Sequence, residues 1–463
     1  MTLIKSISGI RGTIGGTVND NLTPIDAVKF GAAYGMWLKQ QSSKKDLTVV
    51  MGRDARISGD MISCLVSKTL IGLGIDVKDI GLSTTPTVEI AVPLESADGG
   101  IIITASHNPK QWNALKLLNG KGEFLNGEEG EKILEIAEND EFSFAEVDDL
   151  GSYSEVEGYI DRHIEEVLKL ELVDVIAIKE AGFKVVVDAV NSTGGIAIPA
   201  LLKKLNVECV ELYCDPNGHF PHNPEPLKEH LTDISELVVK EKADFGIVVD
   251  PDVDRLAIVC EDGSMFGEEY TLVACADYVL GQLKGGDTVS NLSSSRALKD
   301  ITNKHNGNYT ASAVGEVNVV IEMKNSKAVI GGEGNGGIIY PNSHYGRDSL
   351  VGVVLFLSHL ANSETTCKEL RESYPSYFMS KNKIELTPKT NVDSILNTIA
   401  VNYKNEEINT IDGVKIDFDS EWVHLRKSNT EPIIRVYTES VSQEKADGLA
   451  DRIIREINEI AVI

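Results

Sequence analysis

The sequence predicts an α/β protein built in four pieces, and three observations point there. Short β-branched runs alternate with small-residue turns and helices of 3.6 periodicity along most of the chain, a pattern that gives mixed α/β layers. The alternation restarts at Lys184–Asp188, Gly246–Asp250, Asp287–Leu292 and Ala328–Gly331, hinting at a repeated unit of about a hundred residues. The last piece breaks the pattern and reads as a smaller α+β domain.

In chain order, Thr23 is a plausible N-cap, with Pro24 at the first helical position and Asp26 one turn in, so a helix is expected over 23–41. Residues 47–52 (LTVVMG) read as a buried strand. A helix over 58–72 carries Ile62, Leu65 and Val66 and runs out at Gly72 and Gly74. A strand from Gly100 to Thr104 delivers the chain to Ser106. In the last piece, strands are expected around Lys383–Leu386, Val414–Phe418 and Ile434–Thr438, with a closing amphipathic helix from Ser442 to Ile460. The acidic stretch Glu138–Ser154, the turn after Arg255 and the polar segment Ala361–Thr366 mark boundaries, giving expected domains of 1–150, 151–255, 256–366 and 367–463.

Composition excludes several classes of function. The 463 residues carry 71 acidic and 44 basic side chains, a net charge of −27, which argues against nucleic acid or an anionic membrane as the main partner. The longest apolar stretch, Val351–Leu357, is far short of the roughly 18 residues of a membrane span. Six scattered cysteines without a C-x-x-C pair read as reduced core thiols of a cytoplasmic enzyme. Nothing in the sequence indicates the oligomeric state.

Four segments could carry chemistry. TASHNP at 104–109 places Ser106 at a strand's carboxyl end, where open α/β sheets bind ligands. It lacks the glycines of a hydrolase elbow, the adjacent His107 is poorly placed as its base, and an ordinary Asn/Pro turn explains it equally well. DPDVDR at 250–255 sets Asp250, Asp252 and Asp254 on alternating positions after a strand. Three such anions repel unless a proton or cation neutralises them, and an all-oxygen set suits Mg²⁺ or Ca²⁺. An EF-hand is disfavoured by Arg255 where that loop needs glycine and by strand-like flanks; a solvated acidic turn is the remaining alternative.

GGEGNGG at 331–337 satisfies G-x-G-x-x-G but is not followed by a helix, which rejects a nicotinamide site. It reads as a glycine-permitted loop exposing Glu333 and Asn335 to a ligand, or as a tight connection with none. RKSNTEP at 426–432 gathers Arg426, Lys427, Ser428, Asn429 and Thr430 as donors suited to a phosphate, or forms a plain polar hairpin loop. SGIRG (8–12) and GRDARISG (52–59) offer Arg11, Arg53 and Arg56 to an anion. HFPHNPEP (219–226) places His219 and His222 in a rigid proline-rich loop without a third metal ligand.

SGIRG, GRDARISG, TASHNP, DPDVDR, GEGNGG and RKSNTEP stand in the order and spacing of the α-D-phosphohexomutase superfamily, which the chain resembles over essentially its whole length. The resemblance implies four domains around a central cleft, three of them related α/β/α domains and the fourth a smaller phosphate-binding α+β domain. It further implies transfer of a phosphoryl group between O6 and O1 of a hexose, with Mg²⁺ and a hexose 1,6-bisphosphate as activator and intermediate. On this resemblance Ser106 carries the phosphoryl group, and Asp250, Asp252 and Asp254 with a phosphoserine oxygen hold Mg²⁺. Lys116 is the general acid/base, Arg255, Arg11 and His107 support the transfer, Glu333 and Asn335 meet the sugar, and Arg426, Ser428, Asn429 and Thr430 grip the phosphate that stays. Asn335 and Gly337, where many members carry serine and histidine, and Val317, where many carry a basic residue, resemble the archaeal-type branch. That branch implies a phosphoglucosamine mutase, or alternatively a phosphomannomutase/phosphoglucomutase.

Overall fold

Three of the four units repeat one four-strand pattern. In the computed structural model, which describes residues 2–6, 9–385, 391–427 and 433–461, it is built from Leu47–Arg53, Ile75–Leu82, Gly99–Ile103 and Trp112–Asn119 in the first unit. The second unit uses Lys184–Asp188, Glu208–Leu212, Phe245–Val249 and Leu256–Cys260, and the third Thr288–Asn291, Tyr309–Ser312, Ile330–Glu333 and Gly337–Ile339. In each, the strands lie in the order second, first, third, fourth. The first three are parallel and the fourth returns antiparallel beside the third. This shared topology accounts for the repeat hinted at by the sequence.

Helices cross over between the parallel strands, as parallel pairing requires. They are Gly59–Gly72 and Thr85–Leu94, then Gly194–Lys204 and Thr232–Glu241, then Ala297–Lys304 and Glu316–Ser326. The expected cap at Thr23 is present: its hydroxyl accepts from the Asp26 N–H and the Asp26 carboxylate accepts from the Thr23 N–H, opening the helix Pro24–Gln41. The first sheet is widened to seven strands by Ile4–Ser6 and Gly9–Thr13 on one edge and Tyr153–Glu155 on the other. Pairing therefore carries the first sheet past residue 150, and Leu256–Cys260 carries the second past 255.

The second and third units share one apolar core. The helix Ser349–Ser363 is buried nearly all round, and Phe356 makes edge contacts with Phe245 of the second unit and Phe266 of the third. The fourth unit is a five-stranded antiparallel sheet, Phe378–Glu385, Ile433–Ser440, Trp422–Lys427, Val414–Asp417 and Glu407–Asn409 in spatial order. The helices Val392–Asn402 and Gln443–Ala461 pack on it. Among the described residues no helix is long and apolar enough to cross a membrane. Cys64 is exposed rather than a core thiol, whereas Cys260, Cys275 and Cys367 are buried.

The repeat has one functional consequence. The hairpin joining the third strand to the fourth holds TASHNP in the first unit, DPDVDR in the second and the GNG of GEGNGG in the third. One topological position, used three times, presents three different chemistries.

Candidate active site

Ser106 lies three residues beyond the strand Gly99–Ile103, in the left-handed backbone region (φ 48°), which a side chain adopts at a cost. Two groups hold it there. The Thr104 hydroxyl accepts from the Ser106 N–H at 2.9 Å and donates to Asp54. Arg56, wholly buried, donates to the carbonyls of Ser106, Asn108, Pro109 and Trp112 and to the Asp54 carboxylate. Its Nη groups are thereby spent on the carbonyls of residues 106–112 and its Nε on Asp54, so Arg56 shapes that loop and is not free for the anion the sequence offered it.

The Ser106 hydroxyl donates to Asp250 Oδ2 at 2.7 Å, joining the first and second units. His107 Nδ1 stands farther off, at 3.5 Å, and burial followed by repulsion from Arg255 holds that imidazole down to about 2, so it is neutral at physiological pH.

Asp250, Asp252 and Asp254 are fully buried, with ligand atoms within 4.8 Å of one another. The turn carrying them is tight: Val253, a β-branched residue, sits at φ 64°. Asp250 Oδ1 accepts the backbone N–H groups of Asp254 and Arg255. Asp252 Oδ2 accepts from Thr85 Oγ at 2.5 Å and from Lys116 Nζ at 2.7 Å. Asp254 Oδ2 accepts from Lys116 Nζ at 3.1 Å and Arg347 Nη2 at 2.7 Å. The second oxygens, Asp252 Oδ1 and Asp254 Oδ1, are buried with no hydrogen-bond partner. Burial, then Asp254 and Asp252, push Asp250 well above the usual carboxylate range. Buried acceptor oxygens converging without donors, with no nitrogen or sulfur ligand, fit a hard divalent cation such as Mg²⁺. Asp250–Asp252–Asp254 is the one such ligand cluster among the described residues.

Cationic groups ring this acidic centre. Lys116 pairs with Ile102 across the hairpin, which aims it at the metal loop. Burial lowers its pKa, but Asp252 and Asp254 outweigh that, so it is a firm cation in this arrangement. The Arg255 guanidinium reaches Glu225 of the proline-rich loop at 3.4 Å, while its Nε is buried without a partner. Arg11 lies on the strand Gly9–Thr13, where burial and then Arg255 lower its pKa, so these two arginines converge on one region. In the proline-rich loop, His222 bonds Asp188 and the Phe220 ring lies against Arg56, which gives both structural partners.

The sugar-loop expectation needs one correction. Glu333 is not exposed in a loop: it ends the strand Ile330–Glu333 and is 7 % exposed. The strand runs farther than the sequence implies because Gly332 lets the Gly337 carbonyl approach to where a Cβ would lie. Glu333 Oε1 accepts from Asn291 at 2.9 Å, and Oε2 accepts from Arg347 at 3.0 Å and from Asn335 at 3.4 Å. Arg426 lies on the strand Trp422–Lys427, with Nε 2.8 Å from Asp412. Ser428, Asn429 and Thr430 lie outside the described residues. Sequence reasoning missed Arg347, Glu316 and Asn291; for Arg347 the apolar run Val351–Leu357 just after it was the available signal that this segment is interior.

Comparison with known proteins supplies the context for this geometry. Residues 3–144, 158–263 and 267–377 match the profiles of phosphoglucomutase/phosphomannomutase alpha/beta/alpha domains I, II and III, and 383–456 matches that of the C-terminal domain. The chain is 37 % identical over 440 residues to a phosphoglucomutase/phosphomannomutase of Thermococcus kodakarensis, covering 94 % of this chain and 95 % of that one. It is 31 % identical over 450 residues to a probable phosphoglucosamine mutase of Methanopyrus kandleri, covering 96 % of each. Among solved structures, a phosphoglucomutase/phosphomannomutase family protein of Burkholderia thailandensis superimposes with a TM-score of 0.85 at 26 % identity, covering 98 % of this chain and 97 % of that one.

Proposed function

Because this chain belongs to the phosphoglucomutase/phosphomannomutase family, within the α-D-phosphohexomutase superfamily, we propose that it moves a phosphoryl group between O6 and O1 of a hexose by way of Ser106. The observation that carries this reading is the Ser106 hydroxyl, 2.7 Å from a buried aspartate of a triad whose two other members are held by Lys116.

Phosphorylated Ser106 gives its phosphoryl group to the free hydroxyl of a hexose monophosphate, leaving a hexose 1,6-bisphosphate. The bisphosphate reorients, and Ser106 takes back the other phosphoryl group. Asp250, Asp252 and Asp254, with a phosphoserine oxygen, would hold a Mg²⁺ ion, which would neutralise phosphoryl charge. Lys116 exchanges a proton with the attacking or departing sugar oxygen, leaving its aspartate partners as the sugar enters. Arg255, through its unpartnered Nε, and Arg11 bind phosphoryl oxygens. His107, neutral beside the serine, borders the same space without competing for its proton. Glu333 accepts from sugar hydroxyls, with Asn335 beside it. Arg426, Ser428, Asn429 and Thr430 hold the phosphate that is not transferred.

We retain glucosamine 6-phosphate as the first sugar, on the sequence resemblance and the Methanopyrus relative. The 37 % identical Thermococcus relative favours a second reading, in which mannose or glucose phosphates are turned over by the same groups. Initial rates on glucosamine 6-phosphate, mannose 6-phosphate and glucose 6-phosphate, with Mg²⁺ and a trace of the matching bisphosphate, separate the two readings. Ser106→Ala lowers turnover by at least ~10³-fold while the fold is kept, since covalent transfer has no substitute at this position. Near-normal turnover in that variant would remove the serine from the mechanism, and equal release of inorganic phosphate without isomer formation would make the protein a phosphatase.

A further inference from the structure

We infer that Arg347 is a positioning residue that locks the sugar loop to the metal loop and thereby sets where Glu333 meets the hexose, an inference that rests on the mutase reading. Its guanidinium joins three carboxylates from separate elements: Nη2 to Asp254 at 2.7 Å, Nη1 to Glu333 at 3.0 Å and Nε to Glu316 at 3.1 Å. The Arg347 N–H adds a second bond to Glu316 at 2.9 Å. A planar fork with fixed donor directions sets the relative placement of its partners, which a flexible ammonium cannot do.

The chain makes room for this arginine. A Cβ built on Gly337 would lie 2.3 Å from Arg347 Cδ, so the aliphatic stem occupies the space that any side chain at 337 would need. Gly337, the departure noted in the sugar loop, and Arg347 therefore form one unit. The two loops are also tied through the backbone, since the Leu256 N–H donates to the Gly336 carbonyl at 2.9 Å.

The next residue anchors the arginine from below. Asp348 caps the helix Ser349–Ser363 and accepts from His163 Nε2 at 2.8 Å, and His163 Nδ1 lies 2.9 Å from Thr87 Oγ. Thr85, in the same helical turn as Thr87, holds Asp252 through both its hydroxyl and its N–H. The Ser349 N–H donates to the Val253 carbonyl at 3.2 Å. The metal loop is thus gripped from two sides by a ring of contacts running through three units, and Arg347 is the member of that ring that reaches Glu333.

The test compares Arg347→Lys and Gly337→Ala with the wild-type protein. Lysine keeps a positive charge beside Asp254 but loses the fork; alanine at 337 keeps the arginine and displaces it. Both raise KM for the hexose 6-phosphate by tenfold or more, with a smaller change in kcat. Equilibrium affinity for glucosamine 6-phosphate and glucose 6-phosphate, measured calorimetrically on the Mg²⁺-loaded protein, falls in parallel. Calorimetric Mg²⁺ affinity without sugar stays within threefold in Arg347→Lys. Unchanged KM and sugar affinity in both variants would overturn the assignment, as would a loss confined to Mg²⁺ affinity or to thermal stability. A wild-type protein that forms no hexose 1-phosphate would instead defeat the mutase reading, independently of how the variants bind sugar.

Discussion

Arg56 shows how far a residue's role can lie from its motif. In GRDARISG it looks like an anion ligand, one arginine among small residues, yet its partners are carbonyls some fifty positions onward. Removing it leaves four loop carbonyls without the donors it supplies and leaves the buried Asp54 carboxylate, still bonded by Thr104, without its cation, a change that costs about 3–5 kcal/mol by analogy with broken buried ion pairs. Arg56→Met therefore shifts the urea transition of the first unit to markedly lower concentration, and a midpoint equal to wild type would show that the serine loop holds itself. The residues legible in sequence were those whose meaning is local. Asp250, Asp252 and Asp254 share one turn, and Ser106 follows a strand closely enough for its place at the strand's carboxyl end to be inferred, although packing buries it there rather than exposing it. Arg347 was invisible because its partners are Asp254, Glu316 and Glu333, brought to it only by tertiary packing.

Among elements, the helix Thr85–Leu94 does more than cross over between strands. Its first turn holds Asp252, and Glu89 one turn further is buried 3.3 Å from His344 Nδ1. Burial pushes Glu89 up to about 8 from an ordinary value of 4.5. Burial lowers His344, but its bonds to Asp348 and Glu89 outweigh that and bring it up to about 10 from 6.5. Both groups hold protons more tightly folded than unfolded, so both contribute stability that disappears as pH rises. Glu89's share is lost from about 4.5 through about 8, and that of His344 from about 6.5 through about 10. The melting temperature of the wild-type protein accordingly declines between pH 6 and 9.5, and Glu89→Gln makes the decline shallower; identical slopes would remove this pair as its source. Helices and parallel strands were readable where caps and β-branched runs mark them, as at Thr23 and Lys184–Asp188. The strand Trp422–Lys427 was not, because its histidine, arginine and lysine resemble a loop until His424 is seen to be buried and bonded to Ser293.

At the scale of the whole molecule, the fourth unit meets the third through polar contacts that lead toward the sugar loop. His424 lies between the Asp412 carbonyl, at 2.7 Å, and Ser293 Oγ, at 2.9 Å. The Ser293 N–H bonds Asn291, and Asn291 bonds Glu333. Asp412 itself sits 2.8 Å from Arg426 Nε and accepts the Val314 N–H of the third unit at 3.0 Å. One carboxylate therefore both orients the arginine assigned to the standing phosphate and fastens its domain to the neighbour that carries Glu333. In a chain of net charge −27, an anionic sugar is drawn in only where such cations are held in place, so the loss of Asp412 acts on binding. The Val314 N–H bond to the Asp412 carboxylate is a hydrogen bond to a charged group, worth about 1.5–3 kcal/mol, and because the ion pair with Arg426 is lost with it, Asp412→Ala raises KM for the hexose phosphate by about tenfold or more. Its kcat changes less, because Ser106, Lys116 and the metal loop belong to the first two units and keep their contacts. Asp412→Asn retains an acceptor for the Val314 N–H while losing the charge beside Arg426, so it raises KM by an intermediate amount. If Asp412→Ala leaves KM at the wild-type value while Asn291→Ala raises it, the sugar loop is set within the third unit alone, without help from the fourth.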